Sequence, residues 1–351
     1  MAQADAPVIT GLGLVSPFGA GREAFARGLA AGQSAIRELT LFEPTGACER
    51  AAEVGEYNPA DYLVSTQTYL DRTSALTVGG VRLALEDAGL PVPVPADAGS
   101  PVGLVFGTAW GCVESMHRFA QPLLAGKPRR VQGLVFSHSF ANSPASLAAI
   151  DFGLRGFGAV HAGSRLAGLW SIACAALAVQ EGAAPCVVAG AAESLSAPVW
   201  AHRANAGELC AQGPPRPYDA QAAGTVPGEG ACFFVVEAPG HAAARGARVH
   251  ARIRHWAETG DPEALGGSWI ELAKGAHAYG CAPGIPDIDR AETAALWAVG
   301  LPSALSHAPL LGDALSVAGP YALAHALADR ALPAVVVQAG TEGAAALYID
   351  S

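Results

Sequence analysis

Residues 163–194 read GSRLAGLWSIACAALAVQEGAAPCVVAGAAES. Within them, Leu166–Val179 is 14 residues long and carries no charge. It is too short to cross a bilayer and too long for an ordinary strand, so it reads as a helix buried on all sides. Glu181 and Gly182 end it. Pro185–Gly190 (PCVVAG) then reads as a short apolar strand. A buried helix feeding a buried strand calls for a sheet covered on both faces.

The alternation continues outward. Pro7–Val15 reads as a buried strand, Ser16–Gly19 as a turn and Arg22–Ala31 as a helix. The spacing predicts a helix over Tyr69–Ala88, stopped at Gly89, then a strand at Val102–Gly107. An Asn-Ser-Pro turn opens a helix within Phe140–Gly153. Ala231–Glu237 and Val249–Trp256 read as strands, Ile288–Gly300 as a helix, and Val335–Gln338 and Ala344–Ile349 as closing strands. Gly213–Pro217 and Gly266–Gly284 read as loops. The expectation is an α/β protein with parallel, buried sheets. Gly11 and Gly13 lack the third glycine of a dinucleotide loop, and close strand–turn packing explains them.

Composition narrows the partners. Of 351 residues, 51% are hydrophobic and 15% charged, with mean hydropathy +0.29. Net charge is −10 with only 21 Lys and Arg and no basic cluster, which excludes nucleic acid and anionic membranes as natural partners. Seven cysteines without CxxC spacing form neither a disulfide framework nor a zinc pattern, and fit a reducing cytoplasm. Met1–Pro7 has no basic or apolar leader signature. So few charges leave an apolar or small-residue surface; an obligate subunit interface explains it, and so does Ala/Gly-rich composition.

Six stretches resemble the β-ketoacyl synthase branch of the thiolase-like family. They are Val8–Gly19, Leu70–Leu90, Gly103–Gly111, Asn142–Gly156, Gly182–Ser194 and Arg216–Glu237, the last holding Val226-Pro227-Gly228-Glu229-Gly230. They occur in the family's order over roughly residues 7–255. The resemblance implies a five-layer αβαβα fold of two similar halves, residues 1–245 and 246–351, with the C-terminal half shortened near Gly260–Gly284 and Pro333–Gly340. It also implies a dimer.

The family's catalytic positions carry over one at a time. The nucleophilic cysteine falls on Arg165. The first histidine falls on Cys281, in register with Asp289 and Glu292. The lysine falls on Ala308, and the second histidine on Asp313, in register with Gly312 and Ala318-Gly319. The gating Gly-Phe-Gly-Gly loop becomes Gly340-Thr341-Glu342-Gly343, without phenylalanine. A guanidinium stays protonated and cannot attack a thioester. It also sits badly at a helix start, where the dipole disfavours cations, and when buried it needs a carboxylate. The expectation is that Arg165 and Asp313 pair and fill the former pocket, with charged ends within about 6 Å. Ser164 and Cys281 are the alternative nucleophiles. The preferred reading of Ser164 is nonetheless a helix-entry serine, and that of Cys281 a loop or core cysteine. Cys174 and Cys186 read as packing residues, His138 and His161 as candidate acid–base groups or structural histidines, and Glu229 as a packing carboxylate.

The resemblance therefore points to a chain length factor-like subunit that does not condense. It would pair with an active β-ketoacyl synthase of a type II polyketide pathway and form one wall of an acyl-chain tunnel. Phe136, His138, Phe140 and Trp170 are the candidate wall residues, or ordinary interface packing. An acyl carrier protein would bring substrate on phosphopantetheine, docking mainly on the partner. No metal or cofactor of its own is implied. Chain length factors of aromatic pathways usually carry glutamine at the position of Arg165, so this chain resembles a divergent branch such as aryl-polyene or other reducing type II systems. A different acyl transfer through Ser164 or Cys281, and a purely stabilising scaffold, are the rivals.

Overall fold

The computed structural model describes residues 6–67, 69–97, 99, 101–267 and 269–351. Met1–Pro7, read above for a leader, falls largely outside them. The strands are β1 (Val8–Ser16), β2 (Gly19–Ala20), β3 (Arg37–Glu38), β4 (Arg50–Ala51), β5 (Val102–Thr108), β6 (Gly158–Ala162), β7 (Cys186–Glu193) and β8 (Gly230–Glu237), followed by β9 (Ala251–Thr259), β10 (His277–Tyr279), β11 (Ala334–Gly340) and β12 (Gly343–Asp350). The helices are α1 (Arg22–Ala31), α2 (Arg72–Asp87), α3 (Val113–Leu124), α4 (Gly133–Ser137), α5 (Ser143–Phe152), α6 (Ala167–Gln180), α7 (Ala197–Asn205), α8 (Pro239–Ala244), α9 (Trp269–Leu272), α10 (Pro286–Ala298), α11 (Ala308–Leu311) and α12 (Ala318–Asp329).

Two half-sheets, β6-β5-β7-β8-β1 and β9-β12-β11-β10, meet where β1 pairs with the start of β9. Period-two alternation divides each strand between layers. Val336 of β11 and Leu347 of β12 face inward with Leu12 of β1, onto α6 and α12 between the half-sheets. Val335 and Val337 face outward onto α9 and α10. On the other side, Phe106 of β5 and Val188 of β7 face α2 and α5. The result is the five-layer thiolase-like order. The C-terminal half is the shorter one. Its counterpart of β6 is reduced to a single bridge between Tyr279 and Leu305.

Two expectations need correction. The sheets are mixed, not parallel: β5 is parallel to β6 and β7, but β8 is antiparallel to both β7 and β1. The excursion 194–229 leaves and returns at the same end of the sheet, where Glu193 pairs with Gly230, so β8 must run backward. The supposed loop Gly266–Gly284 contains α9 and β10, too short for a periodic signal.

Candidate functional site

Three segments converge on Arg165. The first is the start of α6, where Leu166 is the N-cap and Arg165 precedes it. Gly168 lets this helix touch the turn before α12: a Cβ there would lie 2.0 Å from the Ser316 carbonyl oxygen. The second is the Val226–Gly230 turn. Val226 O accepts from the Asp313 N–H at 2.8 Å, and the Gly228 N–H donates to Asp313 O at 3.0 Å. Glu229 is fully buried and accepts from Val54 N–H (2.8 Å), Leu195 N–H (3.1 Å) and Arg72 Nε (2.7 Å), which is the packing role read for it. The third is the turn at 313–317. There Leu315 adopts φ 52, a left-handed backbone that costs a branched residue on the order of 1 kcal/mol or more.

At the centre lies a buried ion cluster. Arg165 donates from Nη1 to Asp313 Oδ2 and from Nη2 to Oδ1, both at 2.9 Å. The expected pair is thus present, and bidentate. Arg203 of α7 donates to the same Oδ2 at 2.6 Å and through Nε to Glu208 at 2.8 Å. Leu315 N–H adds a bond to Asp313 Oδ1 at 3.2 Å. Burial alone pushes the Asp313 carboxyl up, but the two guanidinium charges outweigh it and hold it well below the usual carboxylate range. Burial opposes the charge on Arg165, and Asp313 again outweighs it. The cluster therefore stays ionised at any ordinary pH; it holds no thiolate, and both carboxylate oxygens of Asp313 are engaged by guanidinium N–H groups.

The other two carried-over positions hold no imidazole and no amine. Cys281 is buried, its N–H donates to Glu292 at 2.7 Å, and burial next to Glu292 holds the thiol well above its usual range. Ala308 opens α11 with its N–H on Ser306 Oγ at 3.3 Å. Ser164 Oγ accepts from Leu166 N–H at 2.9 Å, as a helix-entry serine does, and donates to the Glu342 carboxylate. Glu342 lies in the turn between β11 and β12, so this contact ties that turn to the start of α6.

The candidate wall residues separate into two places. His138 and Phe140 line one cavity of about 280 Å3 with Ser143 and Ile150. Phe136 lies beside it, its ring 5.1 Å from that of Phe140. Phe136 and Phe140 are 44% and 47% exposed, so this face offers aromatic surface outward. His138 packs its ring on Tyr69 at 5.1 Å. Trp170 instead lines a separate cavity with His161 and Cys174. Cys186 is buried as read, but Cys174 is only partly so, because α6 is not buried all round: Leu177 is 47% exposed. The structure also exposes one short basic run, Lys127, Arg129 and Arg130, that the bulk charge concealed.

Sequence reasoning missed Arg203 and Glu342 as members of the site. Arg203 sits in an ordinary helical segment, and its one signal was that an arginine pointing into the protein needs an acid. Burial pushes the carboxyls of Glu193 and Glu292 up to about 7. Both serve backbone: Glu292 accepts from Ala339 N–H at 3.0 Å, and Glu193 accepts from Ala109 N–H and from Trp110 N–H at 3.4 Å, with Ser316 Oγ donating to it at 2.6 Å.

Comparison with known proteins follows the same outline. The model of the β-ketoacyl synthase N-terminal domain matches residues 5–241. The putative polyketide β-ketoacyl synthase 2 of Streptomyces halstedii is 34% identical over 326 residues, 82% of this chain and 75% of that protein. The tetracenomycin polyketide synthase ketoacyl synthase beta subunit of Streptomyces glaucescens is 32% identical over 330 residues, 86% of this chain and 79% of that one. Against the 3-oxoacyl-[acyl-carrier-protein] synthase 2 of Vibrio cholerae, 30% identical over 263 residues, the match spans only 63% of that protein's length and 72% of this chain. Among solved structures, the ishigamide ketosynthase/chain length factor superposes with a TM-score of 0.85 at 21% identity, covering 99% of both chains. A type II polyketide synthase acyl-carrier protein in complex with its ketosynthase gives 0.79 at 18% identity, covering 99% of this chain and 100% of that one.

Proposed function

Because the chain belongs to the β-ketoacyl synthase family, we propose that it is the non-condensing member of a ketosynthase pair, a chain length factor-like subunit of a type II polyketide or aryl-polyene pathway. The observation that carries this reading is the Arg165–Asp313–Arg203 cluster. Condensation needs a thiolate, an oxyanion hole and imidazoles that stabilise the enolate left by decarboxylation. The cluster replaces two of those groups by a permanent ion pair and leaves no room for an acyl group beside them.

The scaffold around the lost chemistry is kept in order. β6 is an edge strand with one side unpaired, and Val160 on it is 39% exposed. The exposed rings of Phe136 and Phe140 lie on the α4–α5 segment. These features suit a heterodimer in which the active partner holds the growing chain on its own cysteine. This subunit supplies part of the tunnel wall around Phe140 and His138. An acyl carrier protein delivers the extender as a phosphopantetheine thioester.

Co-expression with a β-ketoacyl synthase that has an intact cysteine and two histidines tests it, with the tag on this chain alone. A 1:1 complex by native mass is the expected result. A homodimer that ignores the synthase overturns the proposal. The rival acyl-transfer reading draws on the Ser164–Glu342 contact, and acylation of the isolated chain at Ser164 would favour it.

A further inference from the structure

The two halves repeat each other: β1, β5, β7 and β8 correspond to β9, β10, β11 and β12 by pairing partner and direction. After β1 the chain forms α1, whose Phe25 packs on Tyr321 of α12 with ring centroids 5.3 Å apart. After β9 it turns through Pro262–Leu265 and α9 into the outer layer, so α1 has no mate. A cavity of about 610 Å3 stands in that place, between α6, β9 and β12.

The register of β9 decides what lines it. Pairing with β12 shifts between Tyr348 and Ile349, which leaves Arg254 as an extra residue, bonded through Nε to Asp350 at 2.8 Å. Past that bulge, His255 faces outward, its ring 4.8 Å from that of Trp269 in α9. Trp256 and Glu258 therefore face inward, toward α6, and both line the cavity. An indole and a carboxylate thus stand about 7 Å apart on one strand face. Trp170 of α6 brings a second indole from the helix side, and Leu177 and Ala345 add apolar wall.

Charge then selects the ligand class. Among the described residues that line the cavity, Glu258 is the only formal charge, and none is a lysine or arginine. Burial, outweighing the nearby Glu258 carboxylate, pulls the His161 imidazole below its usual range, so it adds no cation at pH 7. An anion would meet the Glu258 charge uncompensated. A cation gains from that charge and from the indoles, whose ring quadrupole attracts it. The volume lies in the range, roughly 300–1,000 Å3, of sites for small organic ligands.

We propose that this cavity is a binding site for an organic cation, an alkylated ammonium with an apolar body, its head seated between Trp256 and Glu258. The inference does not depend on the preceding reading, and the purified full-length chain suffices to test it.

The experiment is isothermal titration calorimetry at low salt with benzyltrimethylammonium and, separately, 2-methyl-1-phenyl-2-propanol, an uncharged molecule of nearly the same shape. Saturable binding of the ammonium is expected, about tenfold tighter than the alcohol. Glu258→Gln, at an exposed position, should remove most of that preference. Trp256→Leu keeps an apolar side chain in the inner layer and should weaken the ammonium about three- to fivefold. If Trp256→Leu does not fold, the Glu258→Gln comparison decides. The proposal is overturned by no saturable heat with the ammonium, by equal affinity for the two probes, by a preference that survives Glu258→Gln, or by undiminished binding in folded Trp256→Leu.

Discussion

At the residue scale, Asp313 bridges two buried cations, one of which, Arg203, also pairs with Glu208. Removing one partner of such a set leaves uncompensated charge in the interior, so Asp313→Asn should cost about 3–5 kcal/mol in urea unfolding. Arg165→Met should cost less, because Arg203 still pairs with Asp313. The folded pKa of Asp313 lies below its unfolded value of about 3.9. Its contribution is therefore complete above that unfolded value and is lost as pH falls through the folded one. Wild-type stability should drop below about pH 4, and Asp313→Asn should show a shallower acid limb. An Asp313→Asn variant as stable as wild type at pH 7 would refute the buried cluster. Arg165→Cys should install a thiol but no condensing activity, because no imidazole replaces Cys281 and Asp313. Malonyl-carrier turnover by that variant alone would show that the missing groups are not essential.

The pairing of Arg165 with Asp313 was legible from the sequence, because the family register places both at facing positions and a buried guanidinium demands an acid. Arg203 was not. Nothing in the spacing of α7 distinguishes an inward arginine from a surface one, and only the fold brings it within 2.6 Å of Asp313.

At the element scale, α1, α2, α5, α6 and α10 were readable, whereas α3 and α12, each of 12 residues, were not read. α2 was expected from Tyr69 but begins after Asp71, whose side chain accepts from Ser74 N–H as an N-cap. β6 and β10 escaped notice because five and three residues carry no usable period. β6 nevertheless has a consequence. It pairs with β5 on one side only, and such an edge is a template for another chain. Val160→Arg should block association with a ketosynthase partner in size-exclusion runs and shift the thermal midpoint little, as exposed substitutions do. An unimpaired complex would place the interface elsewhere. In α4–α5, Phe140→Ala should lengthen the acyl products of the reconstituted pair, read by mass spectrometry. Unchanged products would reduce this subunit to a scaffold.

At the scale of the whole molecule, the layered architecture followed from alternating buried helices and strands together with the six resembling stretches. Strand direction did not, because the 194–229 excursion looks like any crossover until Glu193 is found paired with Gly230. The asymmetry between the halves is also a product of the fold. The C-terminal half keeps four strands and the inner helix α12, but its sixth-strand counterpart is one bridge and its α1 counterpart gives way to a cavity. Among the described residues, no helix is long and apolar enough to cross a membrane.

The most direct test is the intact mass of both subunits of the purified pair after incubation with an acyl-carrier thioester. The account predicts one acyl adduct on the partner's cysteine and an unmodified mass for this chain. A stoichiometric adduct on this chain, lost in Ser164→Ala or Cys281→Ala, would contradict it.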